Sequence, residues 1–278
     1  MKHWDYQTDI DWEKFDRSKV DPAIVPLIKA AALVEYNGGQ YADHLVPVFA
    51  DDPDFCASAR DWGIEEIQHG QSLGKWASLY DPTFNLEDAF QKFTSGYQIP
   101  VQAGVSARGS RAGEMIARCI VETGTSSYYT ALMESTDEPV LKDICRHIAA
   151  DEFRHYKLFY QYFKKYVAIE KISFPRRLMI AIGRISETED DELSYAYYSG
   201  NLAANDNTAY DRELFNKRYM FGAYSYYRRH HIERAVGMVL KATGLKAGGK
   251  LNSWLTTLAY KKMQKNLHKL ANDLKQAA

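Results

Sequence analysis

No Cys-x-x-Cys pair occurs in the chain, whose three cysteines, Cys56, Cys119 and Cys145, are odd in number and far apart. That spacing excludes a zinc ribbon or a rubredoxin-type iron site, argues against a disulfide framework, and suits a reducing, cytoplasmic setting. No G-x-G-x-x-G loop is present to seat a redox nucleotide. The longest apolar runs, such as LMIAI at 178–182, are far too short to cross a bilayer, and the acidic opening MKHWDYQTDIDWEKFD has no apolar signal core. Strand-like alternation and low-complexity segments are missing too, which leaves helix as the only regular element to expect.

What is there is ample for a core: 278 residues, 46% hydrophobic and 26% charged. The net charge of −1 does not suggest a nucleic-acid partner, but it is unevenly spread. Residues 1–100 carry 8 Lys and Arg against 17 Asp and Glu, whereas residues 241–278 carry 8 Lys against the single Asp273. The basic tail is either a docking face for an acidic partner or a solvated helix face that balances the acidic part.

Apolar spacing predicts four long helices, roughly Pro22 to Ala50, Asp54 to Tyr80, Arg111 to Met133 and Glu138 to Tyr166. Asp51-Asp52-Pro53 and Ser135-Thr136-Asp137 with Pro139 are short links of the kind that join antiparallel neighbours. The stretch from Asp81 to Ser110 reads as a crossover with room for a short helix. Hairpin, crossover, hairpin builds a four-helix bundle over about residues 22–167. An extension over about 168–278 completes a single domain: a helix from Phe174-Pro175 to about Ile185, the acidic loop ETEDDE, the polar stretch NLAANDN, a long helix from about Tyr210 to Ala242, the turn GLKAGGK and a last helix.

The second and fourth helices repeat one pattern, Glu65-Glu66-x-x-His69 and Asp151-Glu152-x-x-His155. Each follows an isolated Glu in the preceding helix, Glu35 and Glu122, at separations of 31 and 30 residues. Residues three apart on a helix point about 60° from one another and lie about 4.5 Å apart along the axis, so each Glu-x-x-His pair can reach a common ion. Two Fe(II) ions would bring +4 to meet the −4 of the four carboxylates Glu35, Glu66, Glu122 and Glu152, with His69 and His155 neutral. Carboxylates with one imidazole per metal suit iron, or manganese, better than zinc. One such pair alone would be a solvated helix contact; two copies at matching register predict a dinuclear site. The competing reading is a metal-free bundle whose acids pair with Arg118, Arg146 and Arg154.

These residues resemble the soluble, plant-type acyl-carrier-protein desaturases of the ferritin-like di-iron superfamily. The matches are Arg60, Trp62, Glu65, Glu66, His69, Gly70, Leu73 and Lys75 in RDWGIEEIQHGQSLGKW, and IAADE with Arg154 and His155. Tyr41, six residues after Glu35, and Thr125, three after Glu122, keep similar spacings. The resemblance covers about residues 35–41, 60–75, 122–125 and 148–156 and not the C-terminal third; Gly38-Gly39 and GTSSYY after Glu122 depart from the family pattern.

The resemblance implies a ferritin-like all-α bundle with additional C-terminal helices, binding two iron ions. It implies O2-dependent oxidation of an apolar substrate, by dehydrogenation or hydroxylation of a fatty acyl chain on acyl carrier protein. Electrons would come from an external donor such as a ferredoxin. It gives Trp62, with His69 and Asp151, a role in carrying electrons, and Thr125 a role in donating to an oxygen species; packing and a backbone hydrogen bond are the alternatives. Asp151 and Glu65, each four residues before a His on its own helix, are expected to accept that imidazole's outer N–H, or to pair with Arg154 or Arg60. A homodimer is the expected assembly. Two other readings stay open: a ferritin-like iron-handling or peroxide-scavenging protein, and a non-enzymatic partner-binding bundle.

Overall fold

The computed structural model describes residues 4–98, 104–187, 191–202 and 208–277, and among them every regular element is helical. The helices are α1 Val25–Tyr36, α2 Gly38–Val48, α3 Pro53–Tyr80, α4 Leu86–Gly96, α5 Arg111–Ser135, α6 Pro139–Glu170, α7 Phe174–Ser186, α8 Asp191–Asn201, α9 Arg212–Ser225, α10 Arg229–Ala242 and α11 Gly249–Ala277. α1 and α2 pack on α3, α5 packs on α6, and the two hairpins meet where α3 faces α6. The chain is the expected all-α four-helix bundle with further C-terminal helices.

Local chemistry starts and stops these helices where the sequence signals it. Asp52 caps α3 through the Phe55 N–H, ahead of Pro53, and its carboxylate is gripped by Lys165 and Tyr166 of α6. Ser110 caps α5 through the Gly113 N–H. The buried Glu138 caps α6 by accepting from the Val140 and Leu141 N–H groups, and it also accepts from Trp76 Nε1 of α3 at 2.7 Å. One carboxylate thus fixes a helix start and ties the hairpins together.

The core is split into two apolar halves by a polar layer. Along α3, Phe55, Ala59 and Trp62 belong to one half and Leu73 and Trp76 to the other; along α6, Leu141, Ile144 and Ile148 belong to the second half and Phe159 and Phe163 to the first. Glu66 and His69 on α3 and Glu152 and His155 on α6 fall in the gap, all buried. The repeat at matched register thereby becomes one layer in three dimensions.

Three sequence expectations need correction. The first long helix breaks at Asn37 into α1 and α2, immediately after Glu35. The break goes with a close helix approach: a Cβ on Gly38 would stand 2.3 Å from Glu66 Cβ, and one on Gly70 would stand 2.4 Å from the Tyr36 backbone N. The helix expected from Tyr210 to Ala242 is two, because Arg228 turns extended and the His231 Nδ1 accepts the Arg228 N–H to start α10 afresh. The acidic ETEDDE segment ends not in a loop but in the first turn of α8, whose Asn201 donates to Pro26 O at the start of α1. Residues 188–190 of that segment, 203–207 of NLAANDN and 99–103 of the crossover lie outside the described residues.

Candidate metal centre

The polar layer forms two overlapping sets, Glu35, Glu66, His69 and Glu152, and Glu66, Glu122, Glu152 and His155, with the donor atoms of each set within 4.8 Å of one another. Glu66 and Glu152 are common to both. His69 Nδ1 lies 3.7 Å from Glu35 Oε2, 3.5 Å from Glu66 Oε2 and 3.3 Å from Glu152 Oε1. His155 Nδ1 lies 3.0 Å from Glu66 Oε1 and 3.6 Å from Glu122 Oε2. All six residues sequence reasoning singled out as ligands are brought together, three from each hairpin.

The inward atoms of this cluster are the ones left without partners. Glu66 Oε1, His69 Nδ1, Glu122 Oε2, Glu152 Oε1 and His155 Nδ1 are buried with no aligned hydrogen bond. Buried polar groups are almost always paired, and uncompensated buried charges cost several kcal/mol each, about the penalty that two cations would remove. The three arginines of the metal-free reading do not fill that role. Arg154 bonds Glu65 and Asp151, Arg146 bonds Asp143, and Arg118 approaches Glu114 at 3.6 Å. Carboxylates and imidazole nitrogens in this proportion fit iron or manganese.

The outer nitrogens are held across the interface rather than within each helix. His69 Nε2 is 3.2 Å from Asp151 Oδ2, and His155 Nε2 is 2.6 Å from Glu65 Oε2. The expectation that Asp151 holds His155 and Glu65 holds His69 is therefore corrected to the crossed pairing. With Nδ1 turned inward, Nε2, the ring nitrogen farther from its own backbone, reaches the opposite helix. A carboxylate can only accept, so Nε2 of each ring carries hydrogen, and in the neutral imidazole the Nδ1 lone pair faces the cluster. Arg154 clamps both outer acids, at 2.6 Å to Asp151 Oδ1 and 2.8 Å to Glu65 Oε2.

Protons follow from the crowding. Burial, then the neighbouring Glu66 carboxylate, lifts Glu35 to about 8 and Glu152 to about 7. Burial and then Glu152 push Glu122 well above the usual carboxylate range. Burial pushes Glu66 up as well, but His155, His69 and Glu35 outweigh it and hold Glu66 low. Burial would lower both imidazoles, yet the surrounding carboxylates, Asp151 foremost at His69 and Glu122 at His155, raise both well above their ordinary value. Without metal, the cluster keeps protons where cations would supply the charge.

Hydroxyls and indoles complete the surroundings. Tyr129 Oη donates to Glu35 Oε1 at 2.5 Å, and Thr125 Oγ1 donates to Glu152 Oε2. Trp62 lies edge-on to His155 with ring centroids 6.5 Å apart, and its Nε1 has no partner. The expected grouping of Trp62 with His69 and Asp151 is not what the geometry contains. Trp4 is there instead: its Nε1 donates to Asp151 Oδ2 at 2.7 Å, and its ring stacks on His147 at 4.8 Å. With Trp4 and Asp151 147 positions apart, no local pattern could have linked them.

A second histidine cluster, Glu134 with His230 and His231, escaped the sequence reading. Since His231 Nδ1 accepts the Arg228 N–H, its Nε2 carries hydrogen and donates to Glu134 at 3.1 Å, leaving no lone pair for an ion. Comparison with known protein families and with curated proteins finds no match for the chain.

Proposed function

We propose that the chain is an O2-dependent oxidoreductase with a dinuclear iron or manganese centre, of the kind the desaturase resemblance implies, acting on an apolar substrate beside the metals. The observation that carries this reading is the pair of buried ligand sets sharing Glu66 and Glu152, with unpartnered donor atoms facing one another, next to an apolar cavity. Glu35, Glu66 and His69 would hold one ion and Glu122, Glu152 and His155 the other, with Glu66 and Glu152 reaching both. The bound pair of metals would supply the reaction with O2 and the redox equivalents.

The chain's own residues do the rest. Asp151 and Glu65 fix the tautomer of each imidazole, Tyr129 orients Glu35 and Thr125 orients Glu152. The two apolar halves of the core exclude water from above and below the layer. Trp4, Asp151 and His69 form a hydrogen-bonded chain toward the cluster, a path by which an external protein such as a ferredoxin could deliver electrons. A carrier-bound or free acyl substrate is the class the resemblance favours, with the lysines of α11 as a docking face for an acidic carrier.

Iron loading followed by elemental analysis, then O2 consumption with a chemical reductant in the presence and absence of organic substrate, tests the reading. Two metals per chain and substrate-dependent O2 uptake are expected. Rapid turnover of peroxide with no organic requirement would replace this reading with the iron-handling one.

A further inference from the structure

We infer that the groove between α6 and α10 is a docking site for an acidic amphipathic helix of a partner protein, one that carries Asp or Glu on both sides of an apolar stripe. The inference concerns the outer surface of the bundle and stands whether or not the buried cluster binds metal.

α6 and α10 both pack on α5, and a groove of about 530 Å3 runs between them. Phe153, Tyr156 and Tyr160 of α6 and Gly237 and Met238 of α10 line it, and Tyr156 Oη crosses the gap to donate to Met238 O at 2.8 Å. The three rings follow one another at steps of three and four residues, so they share one face of α6. Four cations stand around them, one from each helix at each outer ring. Lys157 Nζ is 4.3 Å and Arg234 Cζ 5.0 Å from the centre of the Phe153 ring. Lys164 Nζ is 5.4 Å and Lys241 Nζ 5.2 Å from the centre of the Tyr160 ring.

None of these four cations forms an ion pair among the described residues. The one acid in the wall, Glu233, approaches Arg229 of its own helix at 3.5 Å. Contacts with rings attract a cation without neutralising it, so four like charges border one groove without counter-charge. In a chain of net charge −1 this is a local excess, and it is complementary to a partner rich in carboxylates.

Spacing selects the occupant. Lys157 and Lys164 are seven residues apart on α6, and Arg234 and Lys241 seven apart on α10, so each pair spans about 10.5 Å. The single headgroup of a fatty acid reaches one end of such a groove and leaves the other unmatched. Nucleic-acid bases stack on open ring faces, whereas cations already stand over Phe153 and Tyr160. Two helices lying side by side on a third form the seat for a further helix. A helix with carboxylates seven residues apart on either side of an apolar stripe meets both rows of cations at once, with its stripe on the rings.

The test is fluorescence anisotropy of the full-length chain with a labelled peptide of about three heptads, Leu at the first and fourth positions of each and Glu at the flanking fifth and seventh. The comparison probes are the same peptide with Lys in place of Glu, a scrambled peptide of the same composition, a single-stranded oligothymidine and dodecanoate. The Glu-flanked helix is expected to bind one per chain and more tightly than any of these, with affinity falling about tenfold between about 0.05 and 0.5 M salt. Lys164, Lys241 and Ala247 are exposed, so their replacement leaves the fold intact, which thermal melts check. Lys164→Glu combined with Lys241→Glu should weaken peptide binding about tenfold, and Ala247→Glu alone about threefold. Lys261→Glu, Lys262→Glu and Lys265→Glu together, on α11, should leave it unchanged. No binding of the Glu-flanked peptide, equal binding of the scrambled or Lys-flanked one, or tighter binding of oligothymidine or dodecanoate would overturn the inference. So would indifference to the groove variants in folded protein, or loss of binding on the α11 reversal.

Discussion

Asp151 Oδ2 on α6 lies 3.2 Å from His69 Nε2 on α3, and the same oxygen accepts from Trp4 Nε1 at 2.7 Å. One carboxylate oxygen thus receives an imidazole from the opposite hairpin and an indole from the N-terminal segment. Because a carboxylate oxygen only accepts, the contact determines which His69 nitrogen faces the cluster. It also explains why Asp151 is held well below the usual carboxylate range: burial opposes ionisation, but His69, Arg154 and Trp4 together outweigh it.

The shared carboxylates should be the most sensitive to replacement. Glu66→Ala or Glu152→Ala is expected to abolish binding of both ions, whereas Glu35→Ala, whose residue belongs to one set, should leave about one. Elemental analysis after iron loading and desalting reads the difference. Full occupancy in Glu66→Ala would remove the dinuclear assignment.

The proton inventory sets a pH dependence with a defined sign. Glu35, Glu152 and Glu122 and both histidines have raised values in the fold, so the metal-free protein binds more protons folded than unfolded and loses stability as pH rises. With these carboxyls titrating at 4.5 when unfolded and Glu152 near 7 and Glu35 near 8 in the fold, the decline should start near pH 4.5 and run to about pH 8. Metal must displace those protons, so affinity should rise as pH climbs through about 6 to 8, where Glu152 and Glu35 lose theirs in the fold, and binding should release protons. Thermal melts of metal-free and iron-loaded protein at several pH values test both; a stabilisation by iron that does not grow between pH 6 and 8 would contradict the assignment.

The two tryptophans should separate cleanly. Trp4→Phe keeps the ring over His147 but removes a donor from a charged acceptor, costing about 1.5–3 kcal/mol and slowing reduction of the loaded centre by an external donor. Trp62→Phe loses an N–H that has no partner, so it should leave the reduction rate unchanged. Stopped-flow reduction of both variants at matched metal content decides between them.

Thr125→Val removes the hydroxyl that holds Glu152 without changing side-chain volume much. Both metals are expected to stay bound while more of the O2 consumed is uncoupled from substrate oxidation. Metal content measured with the ratio of product formed to O2 consumed checks this, and an unchanged ratio would reduce Thr125 to a packing role.

Gly38→Ala should disturb the centre from outside it. The added methyl would stand 2.3 Å from Glu66 Cβ and 2.9 Å from Gly63 O, so α1 and α2 must shift away from α3. A destabilisation of about 1–3 kcal/mol is expected from the overpacking, with weakened metal binding because Glu35 rides on α1. Denaturant melts of the metal-free variant and its iron titration measure the two effects separately.

Some of this was fixed by local order along the chain. Helical spacing, the Asp52-Pro53 and Glu138-Pro139 starts, and two Glu-x-x-His pairs with an upstream Glu at nearly equal distance depend only on residues within one hairpin, so the bundle and all six inward residues were legible. The break after Glu35 was not, because it follows from Gly38 and Gly70 meeting another helix at backbone distance, and α8 was not, because its acidic first turn reads locally as a loop. The crossed pairing of Asp151 with His69 and Glu65 with His155, and the arrival of Trp4 beside Asp151, join groups far apart in sequence. Periodicity specifies which face of a helix a residue occupies; which residue of another helix it then meets is decided by how the helices rotate, tilt and approach when the core closes.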